Sequence, residues 1–136
     1  MEKIWLKSYP TGVPEQVPTP DFRSIREMVE HSFQEYPDNP AYANMGTTVT
    51  YRELDERANQ LAGHLRGLGV GADTRVGIAL ERSIDLVVGL LGVLKAGAAY
   101  VPLDLSYPAE RIRFIVEDAG APVIVTQERS AGAVPP

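Results

Sequence analysis

Leu94-Lys-Ala-Gly-Ala-Ala-Tyr-Val-Pro-Leu-Asp104 is the stretch whose reading decides the fold. Gly97 suits the left-handed residue that ends a helix. Ala98 to Val101 then reads as a short strand, and Pro102 closes it because proline cannot donate to a ladder. Pro108 is tolerated at the start of a following helix. The stretch is therefore a helix–strand–turn joint.

Upstream of the joint, Glu81 to Ala96 is the most apolar segment, and Ile84, Leu86, Val87, Val88, Leu90, Leu91, Val93 and Leu94 wrap nearly all round a helix. Such a helix is expected to be buried. Gly89 and Gly92 each cost about 1 kcal/mol of helix stability against alanine, which is tolerated where backbones pack closely. Glu81 and Asp85 resemble a carboxylate pair, but a place in the first helical turn assigns them to the helix dipole. Before this helix, Arg75 to Leu80 reads as a strand whose core, Val76-Gly-Ile-Ala-Leu80, is continuously apolar, as in a parallel strand covered on both faces.

Downstream, Ile112, Ile115, Val116 and Ala119 make one apolar stripe, with Arg113 and Glu117 a weak surface pair four residues apart. Gly120 and Pro122 end that helix, and Val123 to Thr126 is a third strand. The order strand, helix, strand, helix, strand predicts an α/β fold: a parallel βαβαβ unit with covering helices and an incomplete sheet. Its last strand is expected to be an open edge that invites association.

Towards the N-terminus, Gly67-Leu-Gly-Val-Gly71 has the composition of a phosphate loop. It follows a helix and precedes a strand, the reverse of a dinucleotide loop, so it reads as a helix end and turn. The helix before it carries Leu54, Ala58, Leu61, Ala62, Leu65 and Leu68 on one face. It starts at Thr50 and Glu53, which have capping-box spacing. Ala41 to Met45 and Thr47 to Thr50 flank Gly46 as a hairpin, and Asp21 to Tyr36 reads as a helix stopped by Pro37. His31, near Glu27 and Glu35 on that helix, reads as a solvated surface residue, and so does His64, which has no second ligand one turn away. Residues 1–20 hold Pro10, Pro14, Pro18 and Pro20, which favour an extended, proline-rich leader. Trp5 and Tyr9 are available to pin that leader to a surface. Residues 128–136 lack periodicity and read as a linker or a cut end.

The totals bound the function. The chain has 136 residues, 44% hydrophobic and 23% charged, as in an ordinary globular domain or part of one. A net charge of -5 argues against nucleic acid as the main partner. With no cysteine, disulfides and thiolate chemistry are excluded, which fits a reducing cytoplasm. No apolar run is long enough for a transmembrane span, which needs about 20 residues.

Val49-Thr-Tyr-Arg-Glu-Leu54 and Leu94 to Asp104, followed by Tyr107-Pro-Ala-Glu-Arg111, resemble the first two core motifs of nonribosomal peptide synthetase adenylation domains. These belong to the adenylate-forming superfamily, with acyl-CoA synthetases and luciferases. The resemblance runs from about Thr47 to Gln127. The leader, with Met1-Glu-Lys-Ile-Trp-Leu-Lys-Ser-Tyr-Pro10 and Asn44-Met-Gly46, is similar instead to the start of long-chain fatty acyl-CoA ligases.

The resemblance implies that residues 21–127 are the N-terminal portion of an AMP-binding adenylation domain and that the chain is a fragment. The parent would join an amino acid, or alternatively a fatty acid, to the α-phosphate of ATP with magnesium. It would then pass the acyl group to a phosphopantetheine or CoA thiol. The remainder of the adenylation domain would be the principal partner. The family's Ser/Thr/Gly-rich loop ending in lysine is absent from this sequence, so the chain alone is expected to be inactive. A non-catalytic binding module is the rival reading.

Lys95 reads either as an ATP or substrate contact or as a cation near a helix C-terminus, favourable by about 0.3–1 kcal/mol; the second is preferred. Tyr100 and Asp104 read as strand core and turn. No catalytic, cofactor-binding or metal residue is assigned.

Overall fold

The apolar run Val76 to Ala79 becomes the central strand of a parallel sheet, because a strand buried on both faces needs apolar side chains on both. The structure, a computed structural model, describes residues 3–135. The regular elements are α1 (Ile25–Glu35), β1 (Pro40–Asn44), β2 (Thr47–Thr50), α2 (Tyr51–Gly67), β3 (Arg75–Ala79), α3 (Ile84–Ala96), β4 (Ala99–Pro102), α4 (Ala109–Ala119) and β5 (Val123–Thr126). The strand order is β4-β3-β5, and β3 is parallel to both neighbours, pairing Val76 with Tyr100 on one side and with Val123 on the other. The expected parallel βαβαβ unit is present, and both β4 and β5 are edges.

The pleat of β3 divides the core. Val76 and Ile78 pack with Ala62 and Leu65 of α2 and with Val93 and Ala96 of α3. Ala79 faces the other way, with Leu103 and with Ile112 of α4. Gly77 shares that second face: a Cβ there would meet Leu103 Cδ1 at 2.9 Å and Ile124 Cγ1 at 3.1 Å. The chain steps from β3 to β4 in one direction and from β4 back past β3 to β5 in the other. Crossovers of one hand then place their helices on opposite faces, which is where α3 and α4 lie.

The joint forms as its residues require. Gly97 has φ 88°, Ala98 N–H donates to Val93 O at 3.1 Å, and Ala99 N–H donates to Thr74 O at 2.9 Å as the strand begins. The strand ends at Pro102 as expected, but one further bond follows it, for Leu103 N–H donates to Ile78 O at 2.8 Å. The proline itself is paired opposite Ile78 on an edge strand, where a missing N–H is tolerated.

Several elements differ from expectation for identifiable reasons. Helix α1 begins at Ile25 rather than Asp21, because Ser24 Oγ caps it by accepting from Glu27 N–H at 3.1 Å. Helix α3 begins at Ile84, capped by Ser83, so Glu81 stands outside the first turn and only Asp85 meets the helix dipole. Nor is α3 buried all round. Gly89, Gly92, Val93, Lys95 and Ala96 are buried, while Leu86, Leu90, Leu91 and Leu94 are half-buried. Close packing puts its glycines inside: a Cβ on Gly92 would lie 2.6 Å from Leu61 Cδ2. Pro108 caps α4 instead of starting it. Arg113 and Glu117 are exposed, and among the described residues they form no ion pair with each other.

The hairpin is tighter than a glycine alone would make it. Met45 at φ 46° and Gly46 at φ 82° form a two-residue turn between paired Asn44 and Thr47, the type I′ geometry that matches strand twist. The Thr50–Glu53 capping box forms in full: Glu53 N–H donates to Thr50 Oγ1 at 3.2 Å, and Thr50 N–H donates to Glu53 Oε2 at 2.8 Å.

Of the leader, Met1 and Glu2 lie outside the described residues. Ile4–Ser8 is a 3-10 turn, Lys3 pairs with Glu15, and Gly12 takes φ 94°. The leader thus folds on itself, since the prolines begin only after the turn and Gly12 allows the reversal. Trp5 and Tyr9 remain largely exposed. At the other end Glu128–Ala133 is a second 3-10 segment with Ser130 buried; Pro136 is outside the described residues.

Candidate functional site

In an open parallel sheet, ligands lie outside the carboxyl ends of strands where successive crossovers leave in opposite directions. With the order β4-β3-β5 that place is the junction of β3 and β5, and next to it, outside the ends of β3 and β4, is a crevice. It has a volume of about 470 Å³ and is lined by Leu80, Glu81 and Arg82 after β3 and by Leu103, Asp104, Leu105 and Ser106 after β4. Beside it a groove of about 440 Å³ runs along the β4 edge, lined chiefly by Leu80, Leu86, Leu90, Tyr100, Pro102 and Tyr107. A crevice that mixes three leucines with Glu81, Arg82, Asp104 and Ser106 thus continues into an apolar groove.

The crevice is braced from both sides. Asp104 Oδ1 accepts from Ser106 N–H at 2.9 Å, and this backbone bond, aided by the Ser106 side chain, holds the carboxyl below its ordinary pKa. The Asp104 carboxylate therefore serves its own turn. Glu81 accepts from Arg129 at 2.8 Å, and Asp85 accepts from Gln127 Nε2 at 2.6 Å. These two bonds tie the segment after β5 across the start of α3. Asn44 Nδ2 donates to Arg82 O at 3.2 Å, fixing the hairpin to the same loop.

Lys95 is elsewhere, between three helices. Its Nζ lies 2.8 Å from Asp55 Oδ1 of α2, 3.7 Å from Glu30 Oε1 of α1, and 5.2 Å from the centre of the Phe33 ring. Only 10% of its side chain is exposed. Asp55 Oδ1 is buried with no hydrogen bond of standard geometry, so the ammonium is its compensating charge. Its Oδ2 accepts from Asn59 Nδ2 at 3.2 Å. A shallow depression of about 230 Å³ opens beside this cluster, lined by Glu30, Phe33, Gln34, Asp55 and Lys95. The helix C-terminus alone does not account for Lys95. It is an interhelical counter-ion turned away from the strand ends.

The other singled-out residues separate. Tyr100 is exposed on the edge strand β4 rather than in the core of the strand. His64 is exposed, and His31, also exposed, lies 5.3 Å from the Phe22 ring. Gly69 takes φ 84° and Val70 N–H donates to Leu65 O at 3.0 Å, so Gly67 to Gly71 is a helix end. Sequence reasoning missed Asp55, Glu30, Gln127 and Arg129. Asp55, beside Leu54 at the edge of the apolar face of α2, was the one available signal; the rest depend on contacts distant in sequence.

A further cavity, about 750 Å³, lies on the opposite edge, between α4, β5 and Val134. No helix is long and apolar enough to cross a membrane, and no group of acidic, histidine or cysteine side chains is placed to hold a metal ion, both among the described residues.

Comparison with known proteins adds the following. The family model described as AMP-binding enzyme matches residues 29–135. Zwittermicin A synthase ZmaJ of Bacillus cereus is 50% identical over 105 residues, covering 77% of this chain and 20% of that protein. Bacitracin synthase 1 of Bacillus licheniformis is 49% identical over 113 residues, covering 83% of this chain and 2% of that protein. Among solved structures, the Klebsiella oxytoca NpsA N-terminal subdomain in complex with 3-hydroxybenzoyl-AMSN superposes with TM-score 0.75 at 28% identity, covering 82% of this chain and 28% of that one. NpsA-ThdA, an artificially fused adenylation–PCP di-domain, superposes equally at 0.75, with 29% identity and 21% of its chain covered. The chain spans a fifth or less of the length of these curated relatives.

Proposed function

The chain belongs to the AMP-binding enzyme family, and from that premise we propose that it is a segment of an adenylation domain that activates an amino acid for nonribosomal peptide synthesis. The observation that carries this reading is identity of about half the residues, over most of the chain, to synthases of zwittermicin A and bacitracin. The two motifs and the fold of an adenylation subdomain support it.

The parent's reaction would consume ATP with magnesium and load a phosphopantetheine thiol. The donors in this segment do not fit a metal-bound triphosphate. Lys95, the last lysine, is neutralised by Asp55, and the Gly67 to Gly71 turn ends a helix instead of opening one. Phosphoryl chemistry needs cations and N–H donors converging on the phosphate oxygens, and Asp104 and Glu81 offer acceptors that are already engaged. The role of this segment is to build the sheet and its carboxyl-end crevice, against which the rest of the domain closes.

The test is ATP–pyrophosphate exchange by a protein carrying this segment, surveyed over amino acids and fatty acids. Exchange with an amino acid is the expected result. Exchange confined to fatty acids would transfer the reading to the acyl-CoA ligases that the leader resembles. No exchange with any carboxylic acid would overturn it in favour of a non-catalytic module.

A further inference from the structure

We propose that α1 is a strap that undocks from the α2–α3 pair as a unit, pivoting at Tyr36–Pro37, with Lys95 the post on which it closes. This inference rests on packing alone and is independent of the reaction.

Helix α1 is held by little. Phe33 is its one buried side chain. Ile25, Met28 and Tyr36, at helical spacing, are 66%, 41% and 51% exposed. The chain just past α1 is fastened: Arg52 N–H donates to Pro37 O at 2.8 Å, Tyr51 N–H donates to Asn39 O at 3.1 Å, and Arg52 pairs with Asp38 at 2.9 Å. The C-terminal root of α1 is thus tied to the start of α2, and its N-terminal end is not.

The charges are distributed so that opening strands none of them. Glu30 Oε1 is 2.8 Å from Arg26 on its own helix but 3.7 Å from Lys95. Lys95 in turn is 2.8 Å from Asp55, on the element that stays. When α1 leaves, Glu30 keeps Arg26 and Lys95 keeps Asp55. An unpaired buried charge is what makes breaking an ion pair expensive, and here none is created. The loss is the burial of Phe33, its edge contact with Tyr51 at 6.1 Å and its place beneath the Lys95 ammonium. Once undocked, a helix of 11 residues is too short to hold its backbone bonds in water, so opening exposes the amides of α1 to exchange. Opening uncovers the Lys95–Asp55 pair and the depression beside it.

Hydrogen exchange followed by mass spectrometry on the full 136-residue chain, in increasing mild denaturant, reads this directly. Amides of residues 25–35 are expected to exchange at least ~10-fold faster than those of 54–65 and 76–79, with a weaker denaturant dependence, the signature of sub-global opening. Phe33→Ala should accelerate residues 25–35 by a further ~10-fold or more and leave 76–79 unchanged, as expected for loss of a strap's one buried anchor. Glu30→Gln should alter them by less than ~3-fold, as for a minor ion pair. Equal rates and equal denaturant dependence for α1 and α2 in the unaltered chain would overturn the proposal, whatever the variants do. So would ~10-fold acceleration by Glu30→Gln, which would make the Glu30–Lys95 pair the fastening.

Discussion

Lys95 Nζ on α3 lies 2.8 Å from Asp55 Oδ1 on α2, so the lysine of the most recognisable motif in the chain closes an interhelical ion pair. The pair explains why a charged side chain is buried at the end of the most apolar helix. It also separates the motif's lysine from the crevice at the strand ends.

Replacing Lys95 by Met should cost about 3 kcal/mol, the low end for breaking a buried pair, because Asp55 keeps 31% of its side chain in solvent. Asp55→Asn should cost less, about 1–2 kcal/mol, since the ammonium retains Glu30 nearby. In urea unfolding, the Lys95→Met/Asp55→Asn double variant should lose clearly less than the sum of the two single losses. Additive losses would mean the two groups are not coupled.

Gly92→Ala should destabilise by about 1–2 kcal/mol even though alanine is the better helix former, because its Cβ would meet Leu61 Cδ2 at 2.6 Å and Cγ at 2.8 Å. Combined with Leu61→Ala, it should cost less than the sum of the single changes. A stabilised Gly92→Ala protein would mean that α2 and α3 are not in contact at this point.

The capping box should make stability depend on acid pH. The Thr50 backbone N–H first, then the Thr50 side chain, holds the Glu53 carboxyl below its ordinary value of 4.5. A depressed folded pKa gives stability that is fully present above the unfolded value and is lost as pH falls through the folded one. The thermal midpoint of the unaltered chain should therefore drop more between about pH 5.5 and about pH 3 than that of Glu53→Gln, a window from about one unit above a free glutamate to more than one unit below it. Thr50→Ala should cost about 1 kcal/mol; equal pH slopes for the unaltered chain and Glu53→Gln would exclude this source.

Both edges of the sheet, β4 and β5, lack a neighbour among the described residues. Sedimentation velocity should find concentration-dependent association of the 136-residue chain. Pro102 blunts the β4 edge, so β5 is the edge left to associate. An ideal monomer at every concentration would contradict open edges.

Much of the architecture was legible because it rests on local chemistry. Thr50 and Glu53 are close in sequence and cap α2 as their spacing requires, and Gly97 and Gly120 end helices in the left-handed region. The apolar run of β3 announced a strand with two covered faces. Helix starts were less legible, since the caps Ser24 and Ser83 lie within longer stretches that could each have begun earlier. The crevice was only partly legible: Asp104 was noticed as a turn residue, but Arg129 and Gln127 lay in a stretch without periodicity.

By itself the sequence determined the succession of elements, the family and the parallel arrangement, because periodicity, caps and turn residues act within a few positions. The tertiary structure decided what Lys95 pairs with, why Gly92 must be glycine and how Glu81 and Arg129 meet. Each is a contact between residues 31 to 48 positions apart, and such contacts exist only once the sheet has brought its helices together.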